Sequence, residues 1–305
     1  MAELSKEKFK TIGKDLTKAQ TINRPSMTYW QDAWRRLKGN KMAMIALGIL
    51  ILLAIMAFVG PFMNEFKFNE QDLMLGNTEP NSTYWFGTDE IGRDLWTRVW
   101  KGARVSLFIG FTVAFVNIIL GILYGGVSGY IGGRTDMIMM RFCEILGSIP
   151  YLIRVIMLMT VLGSGIKTII IAMTLTGWVG AARMVRGQVL QLKEMEYVMA
   201  ARTLGSDTGR IILKHLVPNT MGVLIVSVTF RIPGAIFGEA FLSYIGMGIP
   251  VPKASLGSLS QAGTQMLLVH PYQLAFPALV ISILMLAFTL FGDGLRDALD
   301  PKLRQ

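Results

Sequence analysis

The stretch of sequence that decides the fold joins two apolar segments and reads Glu196-Tyr197-Val198-Met199-Ala200-Ala201-Arg202-Thr203-Leu204-Gly205. Its two adjacent alanines put very little side chain on a helix face, so another protein surface can approach the backbone closely. Gly205 is suited to the left-handed conformation that ends many helices. Ser206 and Asp207 follow and are good N-caps for a second helix. The pattern predicts a compact helix-turn-helix that docks on another protein; a surface hairpin without a partner is the alternative.

The residues that follow carry an amphipathic pattern of their own. One helix face receives the residues at i, i+3 and i+4 spacing, namely Ile211, Ile212, His215 and Leu216. Pro218 comes next, and proline is tolerated in the first turn of a helix. We therefore expect this stretch to lead directly into a membrane-spanning helix.

The composition assigns the chain to the membrane proteins. Of its 305 residues, 52% are hydrophobic and only 16% are charged, which is too apolar for an ordinary soluble domain. A helix needs about 20 apolar residues to cross a bilayer. Six segments reach or approach this length: 42–62, 105–130, 138–162, 166–182, 221–242 and 274–291. The predicted fold class is an all-α membrane protein with six spans.

Basic residues predict the orientation of these spans. Ten lysines and arginines lie within residues 1–41, and cytoplasmic segments of membrane proteins carry such an excess. Six crossings then place both termini and the stretch at 188–218 in the cytoplasm, with the mostly acidic loop at 64–101 and the loop at 243–273 outside. The formal charge of +10 is therefore a signal of topology, and we expect no nucleic acid partner.

The N-terminal segment ends in a predicted interfacial helix. One face carries Trp30, Ala33, Trp34 and Leu37, and the charged residues fall elsewhere. Tryptophans at the depth of the lipid headgroups are typical of helices that lie along a membrane surface.

Patterns for catalysis and metal binding are absent from the sequence. His215 and His270 are predicted to lie on opposite sides of the membrane, so we expect no metal site. The sequence has no Gly-x-x-x-x-Gly-Lys-Ser/Thr loop, so the chain is not expected to hydrolyse ATP. No carboxylate pair or nucleophile and base lie at catalytic spacing within the spans, which argues against an intramembrane enzyme.

The stretch at 188–218 resembles the cytoplasmic coupling loop of importer-type ABC transporter permeases. That family has Glu-Ala-Ala, then glycine four residues after the second alanine and proline thirteen beyond the glycine; Ala201, Gly205 and Pro218 stand at these offsets. Met199 replaces the glutamate of the motif. The resemblance implies that an ATPase docks here, on Glu196, Tyr197, Ala200, Ala201, Arg202, Leu204, Gly205, Ser206 and Arg210.

A second motif lies in the outer loop and reads Phe86-Gly87-Thr88-Asp89-Glu90-Ile91-Gly92-Arg93-Asp94. It resembles the Gly-Thr-Asp and Gly-Arg-Asp signature of C-type permease subunits in the peptide and nickel branch. Thr88 and Asp89 are predicted to cap a short helix, which Gly92 breaks. The resemblance implies a receptor-side loop that includes Asp89, Gly92, Arg93 and Asp94.

Two more motifs lie in the last third of the chain. The run from Glu239 to Pro250 resembles the Glu-Ala, Leu-Ser-Phe and Gly-x-Gly run of the same branch, and the run from Gly292 to Pro301 resembles its terminal signature. Leu256-Gly257 departs from the family's Pro-x-x-x-Trp-Gly stretch. Four separate motifs in the right order spread the resemblance over nearly the whole chain.

The resemblance implies a six-helix type I ABC importer transmembrane domain in a bacterial cell membrane. Residues 1–41 would be the cytoplasmic N-terminal segment, 42–293 the permease domain and 294–305 a cytoplasmic tail. The implied partners are a homologous B-type permease subunit, two ATP-binding subunits that hold ATP and magnesium, and an extracytoplasmic peptide-binding protein. The chain itself would bind no cofactor.

The implied cargo is oligopeptide, and dipeptide and nickel are alternatives within the same branch. An ion-coupled secondary transporter is the alternative from another class. Internal repeats and helices broken at matching places are typical of that class, and neither is evident in this sequence.

Three charged residues within the predicted spans are candidates for the translocation path: Arg154, Arg231 and Glu239. A charged side chain is costly in hydrocarbon, so each should face protein or water. They line a peptide path, or they form ion pairs with the neighbouring subunit or with Glu144. The sequence leaves both interpretations open.

Overall fold

Helices are the only regular secondary structure within residues 28–300, the part of the chain that the computed structural model describes. Residues 1–27 and 301–305, which hold much of the predicted N-terminal segment and five of the twelve residues of the predicted tail, lie outside it. The helices are α1 (Tyr29–Gly39), α2 (Lys41–Val59), α3 (Leu95–Ile131), α4 (Gly133–Ser148), α5 (Tyr151–Leu162), α6 (Ile166–Gly177), α7 (Val179–Leu192), α8 (Glu196–Thr203), α9 (Thr208–Arg210), α10 (Val217–Leu242), α11 (Leu256–Gln265) and α12 (Tyr272–Leu299).

Short tighter or wider helical turns join some of these elements. Turns of 3₁₀-helix lie at Gly60–Phe62 and Leu73–Leu75, and π-helical turns lie at Ile211–Leu216 and Ser243–Met247. The predicted all-α fold class is confirmed.

Within residues 28–300, five helical segments are long and apolar enough to cross a membrane: Lys41–Phe62, Leu95–Ile131, Ile166–Leu192, Thr208–Met247 and Tyr272–Leu299. A sixth crossing requires α4 and α5 together, and these helices meet at an angle of 82°. The predicted segment at 138–162 is therefore two helices joined at a sharp bend, and it counts as a span only if the bent pair crosses together. Pro150 has no N–H to donate, and it holds Ile149 in an extended conformation with ψ of 130°.

Two predicted span boundaries also differ from the structure. α3 begins at Leu95 rather than Val105, because Asp94 caps it by accepting a hydrogen bond from the backbone N–H of Thr97 at 2.8 Å. The outer loop thus ends at residue 94 rather than 101. α6 and α7 together run to Leu192, so the helical segment extends beyond the predicted end at residue 182 and contains Arg183.

Small residues allow α3 and α7 to pack with their backbones in contact. Gly121 and Gly125 lie one helical turn apart on α3. A β-carbon on Gly121 would collide with Ala181, and one on Gly125 would collide with the backbone carbonyl of Ala182. Small residues four positions apart are a common device for helix packing in membranes. This spacing is readable in the sequence, and our prediction did not use it.

α1 packs against the neighbouring α2 and against the end of α12. Leu37 is buried in a cluster with Ala43 of α2 and Ala298 of α12, and Ala33 is buried as well. Trp30 and Trp34, on the same helix, are exposed. The predicted apolar face is thus divided into buried Ala33 and Leu37 and exposed tryptophans, and the position of the helix at the membrane surface stays a prediction.

Candidate functional site

Within the stretch at 188–218, α8 ends at a glycine turn that leads into α9. Gly205 follows α8 with φ of 82°, the left-handed conformation that the sequence predicted. Its N–H donates to the carbonyl of Arg202 at 3.0 Å, and the N–H of Ser206 donates to the carbonyl of Ala201 at 3.1 Å. This pair of bonds is the Schellman motif, which satisfies the last free carbonyls of a helix. The next helix is capped by Asp207, whose carboxylate accepts from the N–H of Arg210.

The inner face of this loop packs against the start of the fifth span. Val198 of α8 lies in one buried cluster with Ile211, Ile212 and Leu216. Ala201 is also turned inward and is only 8% exposed. The sequence placed Ala201 on the docking surface, whereas the structure exposes Ala200 and buries Ala201, because consecutive residues of a helix point about 100° apart.

The outer face of the loop is exposed to solvent. Its exposed members are Glu196, Tyr197, Met199, Ala200, Arg202, Leu204, Gly205 and Arg210, and Ser206 is half-buried. Leu204 is 85% exposed, which is unusual for a leucine at a helix end. Burial of part of the Tyr197 ring raises the pKa of its hydroxyl above the ordinary value. The loop therefore exposes both apolar and charged side chains.

In the outer loop, Asp89 organises a turn. Its carboxylate accepts from the backbone N–H groups of Ile91 and Arg93 and from Nε of Arg93 at 2.6 Å. It also forms an ion pair with Arg98 of α3, at 3.5 Å. The short helix predicted after Thr88 and Asp89 is wrong, since these carboxylate contacts hold the chain in a turn instead.

The other predicted receptor-side residues are also turned into the loop. Gly92 has φ of 74°, and a β-carbon there would collide with the backbone of Asp72. Asp94 is buried, and besides capping α3 it accepts a hydrogen bond from Nδ2 of Asn64 at 2.8 Å. Burial and the charges of Asp72, Asp94 and Glu70 raise the pKa of the neighbouring Tyr84 hydroxyl. These residues set the shape of the loop, and its exposed tips are available to a partner.

Of the three intramembrane charges, Glu239 stands apart. It is fully buried, and its carboxylate accepts hydrogen bonds from Ser106 of α3 and Ser243 of the π-helical turn, each at 2.7 Å. It lies outside the cavity that Arg154 and Arg231 line. The structure therefore does not group Glu239 with the two arginines.

Arg154 and Arg231 line one cavity of about 480 Å³ between the spans. Glu144, which the sequence offered as their partner, instead pairs with Arg141 at 2.7 Å. That part of the ion-pair prediction is wrong, because the break at Pro150 turns α4 away from α5. The structure adds Arg183 and Asn117 to the same cavity, and the sequence prediction missed both.

Within residues 28–300, no group of three or more His, Cys, Asp or Glu side chains is placed to hold a metal ion. His215 follows α9 and His270 precedes α12, in separate parts of the structure. The statement that this chain carries no cofactor stays a prediction.

Comparison with known families decides the class. A family model described as "Binding-protein-dependent transport system inner membrane component" matches residues 117–305, more than half of the chain. The chain belongs to this family. A model of the "N-terminal TM domain of oligopeptide transport permease C" matches residues 28–80. The assignment made from the four motifs is confirmed, and the chain is a multi-pass permease subunit of the bacterial inner membrane.

Several relatives match this binding-protein-dependent permease over nearly their whole length. The dipeptide transport system permease protein DppC of Bacillus subtilis is 54% identical over 288 residues, which cover 94% of this chain and 90% of the relative. The oligopeptide transport system permease protein OppC of the same organism is 47% identical and covers 100% of both chains. The OppC protein of Escherichia coli is 40% identical, over 98% of this chain and 99% of the relative.

A solved structure agrees with this fold. The inward-facing MetNI methionine ABC transporter includes a chain that superposes with a TM-score of 0.50 at 22% identity, over 67% of this permease and 96% of that chain. At this level of identity the likeness shows the fold alone, the helical bundle of an ABC transporter membrane subunit.

Proposed function

We propose that this chain is one of two membrane-spanning subunits of an ATP-driven ABC importer for oligopeptides. The support is that its relatives in Bacillus subtilis and Escherichia coli are oligopeptide or dipeptide permease proteins and match over 90% or more of their length. The chain would bind no nucleotide itself and would act by changing shape.

The proposed partners are a homologous B-type permease subunit, two ATP-binding subunits and an extracytoplasmic peptide-binding protein. The ATP-binding subunits would hold ATP and magnesium. The family description supports this composition, because it names an inner membrane component of a transport system that depends on a binding protein.

The two-sided loop at 188–218 is the observation that carries the proposal. Its inner face is packed, and its outer face exposes Tyr197 and Leu204 beside the basic Arg202 and Arg210. Exposed apolar side chains grouped with charges are typical of a surface that binds another protein. We assign ATPase docking to the exposed residues of this loop, and we assign Ala201 and Ser206 the role of holding its shape.

The structure also offers a route for the motion. The segment Thr208–Met247 is 40 residues of nearly continuous helix, roughly 60 Å at the usual rise per residue. One end packs on α8 through Ile211 and Leu216, the middle places Arg231 in the cavity, and the far end carries Glu239. A push on α8 would therefore move α10 as a rigid body, which is a common form of conformational switching.

We place both termini and the coupling loop in the cytoplasm, and the loop that ends at Asp94 on the receptor side. The support is the basic charge of residues 1–41 together with the acidic charge of the outer loop. In this arrangement Asp89, Gly92, Arg93 and Asp94 keep the receptor-side loop in shape.

Dipeptide import is a second candidate, because the DppC protein of Bacillus subtilis is 54% identical to this chain. The two candidates share every part of the mechanism and differ only in cargo length. Uptake of a labelled dipeptide and a labelled pentapeptide by the same transporter would separate them.

The class is tested in proteoliposomes that contain the whole transporter and its receptor. We expect peptide uptake to require ATP and to persist when ionophores collapse all ion gradients. Uptake that continues without ATP and stops with the gradient would instead identify an ion-coupled secondary transporter. A transporter with an ATPase subunit unable to hydrolyse ATP is the matched control.

A further inference from the structure

The cavity lined by residues of α3, α4, α5, α6, α7 and α10 carries charges of one sign only. Its lining includes three arginines from three different helices, namely Arg154 of α5, Arg183 of α7 and Arg231 of α10. The lining contains no aspartate and no glutamate. Three positive charges therefore face one space of about 480 Å³ without a negative charge in its wall.

The three guanidinium groups are held mainly by neutral oxygens. Arg154 donates from Nη1 to the carbonyl of Thr176 at 3.2 Å, and its buried Nε has no hydrogen-bond partner. Arg183 donates from Nη2 to the carbonyl of Cys143 at 3.1 Å.

Arg231 donates from Nε to the hydroxyl of Ser227 at 3.2 Å. None of the three forms an ion pair with a carboxylate in residues 28–300. A guanidinium carries five N–H donors, so each arginine keeps donors for a ligand.

The rest of the lining leaves room and adds the neutral polar side chains of Asn117, Tyr151 and Thr176. Asn117 is only 5% exposed, and its Oδ1 has no hydrogen-bond partner. Gly147 and Gly180 also line the cavity, and a β-carbon at these positions would come within 3.2 Å of Arg183 and 3.5 Å of Arg231. The absence of side chains there lets the two guanidinium groups reach the open space.

We propose that this cavity binds the C-terminal carboxylate of a peptide during its passage through the membrane. Guanidinium groups bind carboxylates through two parallel charge-assisted hydrogen bonds, and a positive charge inside the membrane needs such a partner. The amide of Asn117 can accept a hydrogen bond from a peptide N–H of the same ligand. The volume is within the range of small-ligand pockets.

This inference rests on peptide transport as the proposed function. It gives Arg154 and Arg231, the two arginines predicted from the sequence to line the path, the role of binding the C-terminal end of the peptide. The competing explanation is that acidic residues of the second permease subunit pair with the same arginines. The two differ in what a single arginine substitution does to peptides with and without a terminal charge.

The test uses the complete transporter in proteoliposomes with a receptor that binds both a pentapeptide acid and its C-terminal amide. Uptake of each peptide by a variant is divided by wild-type uptake of the same peptide, so that any preference of the receptor cancels. For Arg231→Gln and Arg154→Gln we expect acid uptake to fall by about tenfold or more, the order of one charge-assisted hydrogen bond. Amide uptake should stay near the wild-type level.

Two matched variants complete the design. Arg231→Lys keeps a positive charge and should retain most of the preference for the acid. Arg141→Gln removes a guanidinium from the neighbouring α4, where it pairs with Glu144 outside the cavity, and should leave both uptakes unchanged.

Each other outcome overturns the proposal. Equal losses for acid and amide, or loss of the second permease on purification, would show that the arginines are structural. Unchanged uptake of both peptides would show that transport does not need them. If the wild-type transporter moves neither peptide, the proposed function fails and the carboxylate site fails with it.

Discussion

The hydroxyl of Ser106 on α3 donates a hydrogen bond to Oε2 of Glu239 on α10 over 2.7 Å. The same serine oxygen accepts from the backbone N–H of Leu256, the first residue of α11. The other carboxylate oxygen accepts from Ser243, whose hydroxyl in turn contacts that of Ser255 at 3.2 Å. One buried acidic side chain therefore joins α3 and α10 to the start of α11.

Replacing Glu239 by leucine should destabilise the transporter, because two buried hydroxyls lose their acceptor. Each stranded group costs about 1–3 kcal/mol. Glu239→Gln keeps an acceptor and should cost less. Thermal unfolding of the purified transporter measures the difference, with Ser282→Ala as control, since that exposed hydroxyl only contacts the carbonyl of Ala278 in its own helix. An unchanged melting temperature for Glu239→Leu would contradict a stabilising network.

The turn at Gly205 should tolerate asparagine better than valine. A β-carbon at this position would meet no atom within 4 Å, so only the left-handed backbone opposes substitution. That conformation costs a residue with a β-carbon roughly 1–2 kcal/mol, and asparagine adopts it more readily than a β-branched residue. We expect the Gly205→Val permease to reach the membrane but to lose peptide uptake. The ATPase activity of the assembled transporter should no longer rise when the loaded receptor is added. Equal transport by both variants would remove the turn from the coupling mechanism.

The adjacent alanines should respond differently to tryptophan. Ala200 is exposed, so Ala200→Trp should leave the loop folded and hold the ATPase away from it. Ala201 is buried, so Ala201→Trp should overpack the loop and destabilise it, typically by about 1–3 kcal/mol. The destabilised loop should be cut more readily by proteases. Co-purification of the ATPases and limited proteolysis of the permease report the two effects. Parental transport by Ala200→Trp would show that the docking face lies elsewhere.

The folded shape of the outer loop should depend on Asp89 and not on the neighbouring Glu90. Arg98 is nearly buried and pairs with Asp89, so Asp89→Ala leaves a buried positive charge unpaired, at a cost of about 3–5 kcal/mol. We expect faster proteolysis between residues 63 and 94, together with weaker stimulation by the receptor. Glu90 is exposed, and Glu90→Ala is the control. Equal protease resistance of the two variants would contradict the assigned role.

The orientation can be read from two cysteines. The two single-cysteine variants are Glu79→Cys and Ser206→Cys, each in a Cys143→Ser background. In intact cells, an impermeant thiol reagent should label the cysteine at position 79 and not the one at position 206. Permeabilised cells should be labelled at both positions, which controls for accessibility. The reverse pattern in intact cells would invert the proposed topology.

The sequence by itself determined the class of this protein. Apolar segments of spanning length predicted the membrane fold, and the spacing of Ala201, Gly205 and Pro218 predicted both the family and the left-handed turn. Such features are local, because helix caps, glycine turns and spanning lengths depend on residues close together in the chain. The same locality explains why Asp207 could be recognised as a cap in advance.

Only the tertiary structure decided which side chains meet. The break at Pro150 separates Glu144 from Arg154, and the packing of α8 on α10 buries Ala201 while it leaves Ala200 exposed. Arg183 belongs to the cavity because α7 continues across Gly121 and Gly125 of α3, beyond residue 182, where the predicted span ended. Contacts between residues distant in the chain depend on the angle and rotation of whole helices, and no local pattern specifies these.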